Sequence, residues 1–125
     1  WVADKTRARV HRADLRTGEI TKTFRVGRNR SADLVYGDGA LWAATPDDDA
    51  VNKLEPRTGE LIPISVGRRP RQLTLSEGRV YVTNYNSSDL YAIDERSSRP
   101  VGDPVSLPVN AFALAVADRS VWVAS

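Results

Sequence analysis

The chain has no cysteine and no methionine among its 125 residues. The first absence excludes disulfides, thiolate nucleophiles and every thiolate metal site. Histidine occurs once, as His11, so a histidine-rich metal centre cannot form within one chain. No apolar run approaches the roughly 20 residues that a transmembrane helix needs. Charge of one sign is not in excess either: 18 Lys and Arg stand against 16 Asp and Glu, for a net +2. Any cationic patch must therefore be local. Neither a Gly-x-Ser-x-Gly elbow nor a phosphate-cradling Gly-rich loop is present, so nucleophilic hydrolysis and nucleotide binding lack their usual marks. What is there is 41% hydrophobic and 27% charged, a balance that supports a packed core and argues against disorder.

The strongest positive signal is repetition. Ala40-Leu41-Trp42-Ala43-Ala44 lies over Arg79-Val80-Tyr81-Val82-Thr83-Asn84 and over Ser120-Val121-Trp122-Val123-Ala124-Ser125. Trp1-Val2-Ala3-Asp4 is the tail of the same element one period earlier. From Trp1 to Trp42 is 41 residues, from Trp42 to Tyr81 is 39, and from Tyr81 to Trp122 is 41. Short apolar runs at about 40-residue spacing are the mark of β-propeller blades. The fold class is thus all-β: a partial β-propeller of about three four-stranded antiparallel blades in an open arc. The repeats run over 1–41, 42–80 and 81–121, and 122–125 begins the next.

The central repeat shows the local logic. Arg71 to Ser76 alternates and reads as a strand, and Glu77-Gly78 is a tight turn in which glycine accepts φ > 0. Arg79 to Asn84 is a β-branched and aromatic strand, and Asp89 to Asp94 is the third. Pro100 to Val105 makes an edge-like fourth strand, where proline is tolerated. The third-to-fourth turn recurs as Asp14 to Glu19 and Glu55 to Glu60, with an acidic cap and a glycine. The third copy has Ser98 where the others have glycine, and a turn of different shape is expected there. Trp42, Tyr81 and Trp122 share one position, read as an aromatic packed between blades. The pattern opens in a second strand and ends in another. It gives sets of three, four, four and two, about 13 strands in all. Three blades are too few for the usual ring of about four to eight. The chain opens in mid-motif with no legible signal peptide, and is expected to be a piece of a longer polypeptide. The remaining blades then come from the same parent chain, or from a second copy.

Tyr81-Val82-Thr83-Asn84 spells the motif of the YVTN family of β-propeller repeats. Val66-Gly67, Pro70-Arg71, Leu73, Gly78, Val80 to Asn84 and Ile93-Asp94 follow the surrounding pattern, and the resemblance covers the whole chain. The flanking repeats carry Trp-Ala-Ala or Trp-Val-Ala in place of Tyr-Val-Thr. The resemblance implies a bacterial, extracytoplasmic or secreted protein: a surface-layer scaffold, a binding protein, or the sensor domain of a signalling protein such as a Ser/Thr kinase. A streptogramin lyase is similar in fold, and that likeness implies a metal and a catalytic histidine in the loops. Here the one histidine, His11, aligns with Asn52 and Tyr91 inside a third strand, which takes support from a lyase reading of this segment.

Blade topology sends the second-to-third loops and the inter-blade loops to one face, around the channel mouth where such folds commonly bind ligands. Two of the three inter-blade loops, 26–31 and 66–71, are rich in arginine; the third, 107–111, has none. Arg28, Arg30, Arg68, Arg69 and Arg71 can converge on an anion, because guanidinium forks match carboxylate and phosphate. They can equally pair with Asp47, Asp48 and Asp49 on the same rim. Those three carboxylates lack the alternating spacing of a calcium loop and read as a solvated acidic turn, so no metal and no cofactor is assigned. Asn84, Tyr85 and Asn86 form a polar loop whose ring can contact a sugar or a peptide. Nucleic acid is disfavoured, because acidic residues interleave with basic ones on that face. The function expected is non-catalytic: a binding or sensor module that recognises a protein, peptide or cell-envelope polymer through these loops. The alternatives are a propeller lyase with its catalytic residues on other blades, and a repetitive surface-layer scaffold.

Overall fold

A computed structural model describes residues 1–108 and 110–124. Val109, in the third inter-blade loop, and Ser125, at the end of the last apolar run, lie outside the described residues. Among the described residues there are fourteen strands and no helix. They form four antiparallel sheets in chain order. The first holds β1 (Val2–Asp4), β2 (Arg9–Ala13) and β3 (Ile20–Arg25). The second holds β4 (Asp33–Gly37), β5 (Ala40–Thr45), β6 (Ala50–Leu54) and β7 (Leu61–Ser65). The third holds β8 (Pro70–Ser76), β9 (Arg79–Asn84), β10 (Asp89–Asp94), β11 (Arg99–Pro100) and β12 (Val105–Ser106); the last pairs β13 (Ala113–Ala117) with β14 (Ser120–Ala124).

The sheets stack face to face, and the core lies between them. Side chains alternate across a strand, so β5 serves two interfaces at once. Leu41 and Ala43 pack with Val10 of the first sheet and Val26 just beyond its last strand. Trp42 and Ala44 pack with Leu73, Val80, Val82 and Ile93 of the third. All six residues of β5 are therefore buried. The repeated aromatic shows what the stacking does. Trp42, with a complete sheet after it, is 0% exposed; Tyr81 is half-buried; Trp122, in the last of the described sheets, is 64% exposed.

Polar clamps join the same neighbours. The Asp33 carboxylate at the start of β4 accepts the Leu73 amide of β8 at 2.8 Å and the Gln72 side chain at 3.1 Å. On the other side of the sheets, Lys53 of β6 reaches across to the third sheet. Its Nζ donates to the Glu95 carbonyl at 2.7 Å and to Ser98 Oγ at 3.1 Å, and lies 4.9 Å from the Trp42 ring centroid.

The first-to-second turns are Asp38-Gly39, Glu77-Gly78 and Asp118-Arg119, with both residues at positive φ in each. That is the type I′ signature, whose twist suits a two-residue hairpin. Arg119 takes φ 59 without being glycine. Two expectations are corrected. The turn at Ser98 does not change shape: Ser98 adopts φ 57, beside Gly18 at 76 and Gly59 at 79. Its amide donates to the Asp94 carbonyl, as Gly18 does to Asp14 and Gly59 to Glu55. The hydroxyl is a reason for serine there, since it accepts from Lys53. The fourth strand of this repeat is not continuous over 100–105. It is split into β11 and β12, both paired with β10, because Gly102 at φ 68 and the donor-less Pro104 push 102–104 out of the ladder, while the Val101 amide still donates to the Ala92 carbonyl.

Candidate functional site

The inter-blade loops and the second-to-third loops meet on one face, joined by short bonds. The Val26–Ser31 loop enters the second sheet beneath the acidic turn. The Arg28 amide donates to Asp48 Oδ2 at 3.0 Å, and the Arg28 guanidinium pairs with Oδ1 at 3.3 Å. Arg30 donates through Nε and Nη2 to Asp47 Oδ1, at 3.1 and 2.9 Å. Asp49 turns to the next loop and accepts the Arg69 amide at 2.8 Å. The three aspartates thus neutralise two arginines and fix the backbone of a third.

The loop into the third sheet is built the same way and charged differently. The Arg68 amide donates to Ser87 Oγ at 2.9 Å, where the preceding blade uses Asp48. The Tyr85 amide donates to the Arg69 carbonyl at 3.0 Å and the Asn86 amide to the Arg68 carbonyl at 3.1 Å. The two loops are stapled to one another. Gly67 is required by closeness: a Cβ there would strike Ser87 Oγ, Asp89 Oδ1 and Asn84 Nδ2. Among the described residues the Arg68, Arg69 and Arg71 guanidiniums have no carboxylate within ion-pair reach.

Arg71 is placed by a β-bulge. Pro70 pairs with Asn84 and Gln72 with Thr83, so Arg71 is the extra residue of β8. A bulge re-aims its side chain. The Arg71 guanidinium lies 5.6 Å from the Tyr85 ring centroid and 4.9 Å from that of Phe112, and the two rings meet edge to face at 5.3 Å. Phe112 is 49% exposed, an aromatic that the sequence reading passed over. Its only sequence signal is its place one residue beyond the third inter-blade loop.

These loops border a cleft of about 860 Å³ running along β1, β4 and β8. Arg30, Arg69, Arg71, Tyr85 and Asn86 line it, with Lys5, Trp1, Pro46 and Asp33. Arg28 and Arg68 are exposed on the same face but do not line the cleft. Asn84 is corrected outright as a ligand contact: it is 0% exposed, and its side-chain amide donates to Asp89 Oδ1 at 2.7 Å. It braces the loop because the last residue of β9 turns into the blade. Elsewhere, His11 Nδ1 lies 2.9 Å from Thr23 Oγ1 on the neighbouring strand. Asp4, at the end of β1, is held below the ordinary carboxylate range by the Thr6 hydroxyl and then the Thr6 amide, with smaller help from Arg7 and His11 against slight burial.

No family model matches the chain, and no curated protein does. Solved structures do. Hydrazine synthase of Kuenenia stuttgartiensis superposes with a TM-score of 0.77 at 20% identity, over 86% of this chain and 32% of that one. AztD from Citrobacter koseri gives 0.66 at 15% identity, over 85% and 31%. BamB from Moraxella catarrhalis gives 0.64 at 15% identity, over 94% and 49%. The chain therefore spans a third to a half of the length of these propeller-like proteins. Together with the stacked antiparallel sheets, the likeness makes this chain an open, partial β-propeller. No described helix is long and apolar enough to cross a membrane.

Proposed function

We propose that this chain is a segment of a non-catalytic binding or sensor module of the YVTN-repeat type, which recognises a protein, peptide or envelope polymer through its top-face loops. The observation that carries the reading is the unequal charge of two loops with the same backbone design. In one, Asp47 and Asp48 satisfy Arg30 and Arg28. In the other, Ser87 replaces the aspartate and three guanidiniums are left without a carboxylate among the described residues. A purely structural rim gains nothing from that difference, whereas a ligand with negative charge does. A bacterial, extracytoplasmic setting is part of the proposal, supported by the motif at Tyr81 to Asn84.

The test uses the full-length protein that contains this segment. Purified peptides and envelope polymers are titrated against the wild type and against the double variant Arg69→Glu, Arg71→Glu, with thermal melts as folding controls. Binding that the double variant loses supports the reading. Turnover of a bound compound, abolished by a substitution in this segment, would sink it in favour of an enzyme with further catalytic groups on other blades.

A further inference from the structure

We infer that the occupant of the cleft is an acidic peptide, whose carboxylates are taken by Arg69 and Arg71 on one blade and by Arg30 on the other. The inference rests on the binding-module reading and narrows it. Four cationic side chains line the cleft, Lys5, Arg30, Arg69 and Arg71, against one carboxylate, Asp33. That carboxylate is already spent: Oδ1 accepts the Leu34 amide at 2.9 Å and Oδ2 accepts Leu73 and Gln72. The field in the cleft is therefore positive although the net charge of the chain is only +2.

The cations are positioned before any ligand arrives. Arg69 is held at φ 57 by Asp49 on its amide and Tyr85 on its carbonyl. Non-glycine residues in that region are strained, and such strain persists where the surroundings impose it. Arg71 is aimed by the bulge and braced over two rings. Holding a guanidinium in place lowers the ordering cost of capturing a carboxylate. Arg30 keeps a 46% exposed side chain beside Asp47, so it can be shared with a second acceptor.

The same contacts argue against the other polyanions. A sugar needs a bare ring to stack upon, and the two rings on the cleft are already engaged, Tyr85 by Arg71 and an edge-to-face contact with Phe112, and Trp1 by Phe24 at 6.2 Å. A nucleic-acid backbone would meet Asp47 and Asp49 on the rim. An acidic peptide can set isolated carboxylates on the arginines and lay an apolar side chain on Pro46, which also lines the cleft.

The experiment is fluorescence anisotropy on the full-length protein with three probes: a labelled peptide of alternating glutamate and leucine, the same peptide with lysine for glutamate, and polygalacturonate. The glutamate peptide is expected to bind, the lysine peptide to fail, and binding to weaken with added salt. Arg69→Glu with Arg71→Glu is expected to weaken the glutamate peptide by about tenfold or more, the scale of one lost charge-assisted contact. Arg57→Glu, which sits in a third-to-fourth turn on the opposite face, should leave it unchanged. A second pair, Arg69→Gln with Arg71→Gln, covers the case in which charge reversal disturbs folding. If polygalacturonate binds and the glutamate peptide does not, the peptide inference is overturned while the binding-module reading stands. If the glutamate peptide binds but neither arginine pair weakens it, the site is wrong. If no probe binds, both fall.

Discussion

Replacing Lys53 by methionine tests how neighbouring blades are locked. The structure gives this ammonium two partners on the following blade and one on its own. They are the Glu95 carbonyl at 2.7 Å, Ser98 Oγ at 3.1 Å, and the Trp42 ring at 4.9 Å to its centroid. A hydrogen bond from a charged donor contributes about 1.5–3 kcal/mol, and a partly desolvated cation–π contact adds about 1 kcal/mol. Two effects act in the other direction. Removing a half-buried charge relieves its desolvation, and the thioether keeps a favourable contact with the indole of roughly 0.3–1.5 kcal/mol. The expected net loss for Lys53→Met is about 2 kcal/mol. Urea unfolding followed by tryptophan fluorescence reads it as a fall in the midpoint of about 1 M at unchanged slope. Ser98→Ala should cost about 1 kcal/mol alone, and less than that in the Lys53→Met background, because the two groups share a bond. A Lys53→Met midpoint equal to or above the wild type would refute the lock and leave these blades held by apolar packing and the Asp33 clamp.

Further outcomes follow from single positions. Arg119→Gly relieves a non-glycine residue at φ 59 and should stabilise the β13–β14 hairpin by about 1 kcal/mol, seen as slower amide exchange there. Gly67→Ala forces a Cβ against Asp89, Ser87 and Asn84, so an overpacking loss of about 1–3 kcal/mol is expected together with weaker peptide binding. Asp94 has its carboxyl held below the ordinary value of 3.8, chiefly by the Ser97 amide, then the Ser97 side chain, with the Arg96 amide also contributing. A depressed folded value means that its contribution is complete above pH 3.8 and is lost as pH falls through the lower folded value. Acid unfolding of Asp94→Asn should therefore lack that component of pH dependence, and equal acid sensitivity of variant and wild type would contradict it.

Much of this molecule could be read along one line of residues. The recurrence of Trp42, Tyr81 and Trp122, the Asp-Gly and Glu-Gly turns, and the capped third-to-fourth turns are local matters of period, φ and hydrogen-bonding chemistry. They specify antiparallel sheets of about the right length and order without reference to any distant residue. Where local rules misled, a distant partner was responsible. Ser98 keeps a glycine conformation and meets Lys53, 45 residues away. Asn84 looked like a loop side chain and is bonded inside the blade to Asp89.

The site was legible as a list of candidates and not as a site. Repeat position and blade topology placed five arginines and three aspartates on one rim. Only the stacking of sheets decided that Asp47 and Asp48 take Arg30 and Arg28, that Asp49 takes a backbone amide, and that Arg71 is left for the rings of Tyr85 and Phe112. The reason is physical. Strand period and turn chemistry act over a few residues, so the sequence by itself determined the blades. The aspartates find their partners through space, 17 residues away for Arg30 with Asp47 and 20 for Arg28 with Asp48 and for the Arg69 amide with Asp49. Which cations remained free was therefore decided only when the blades packed.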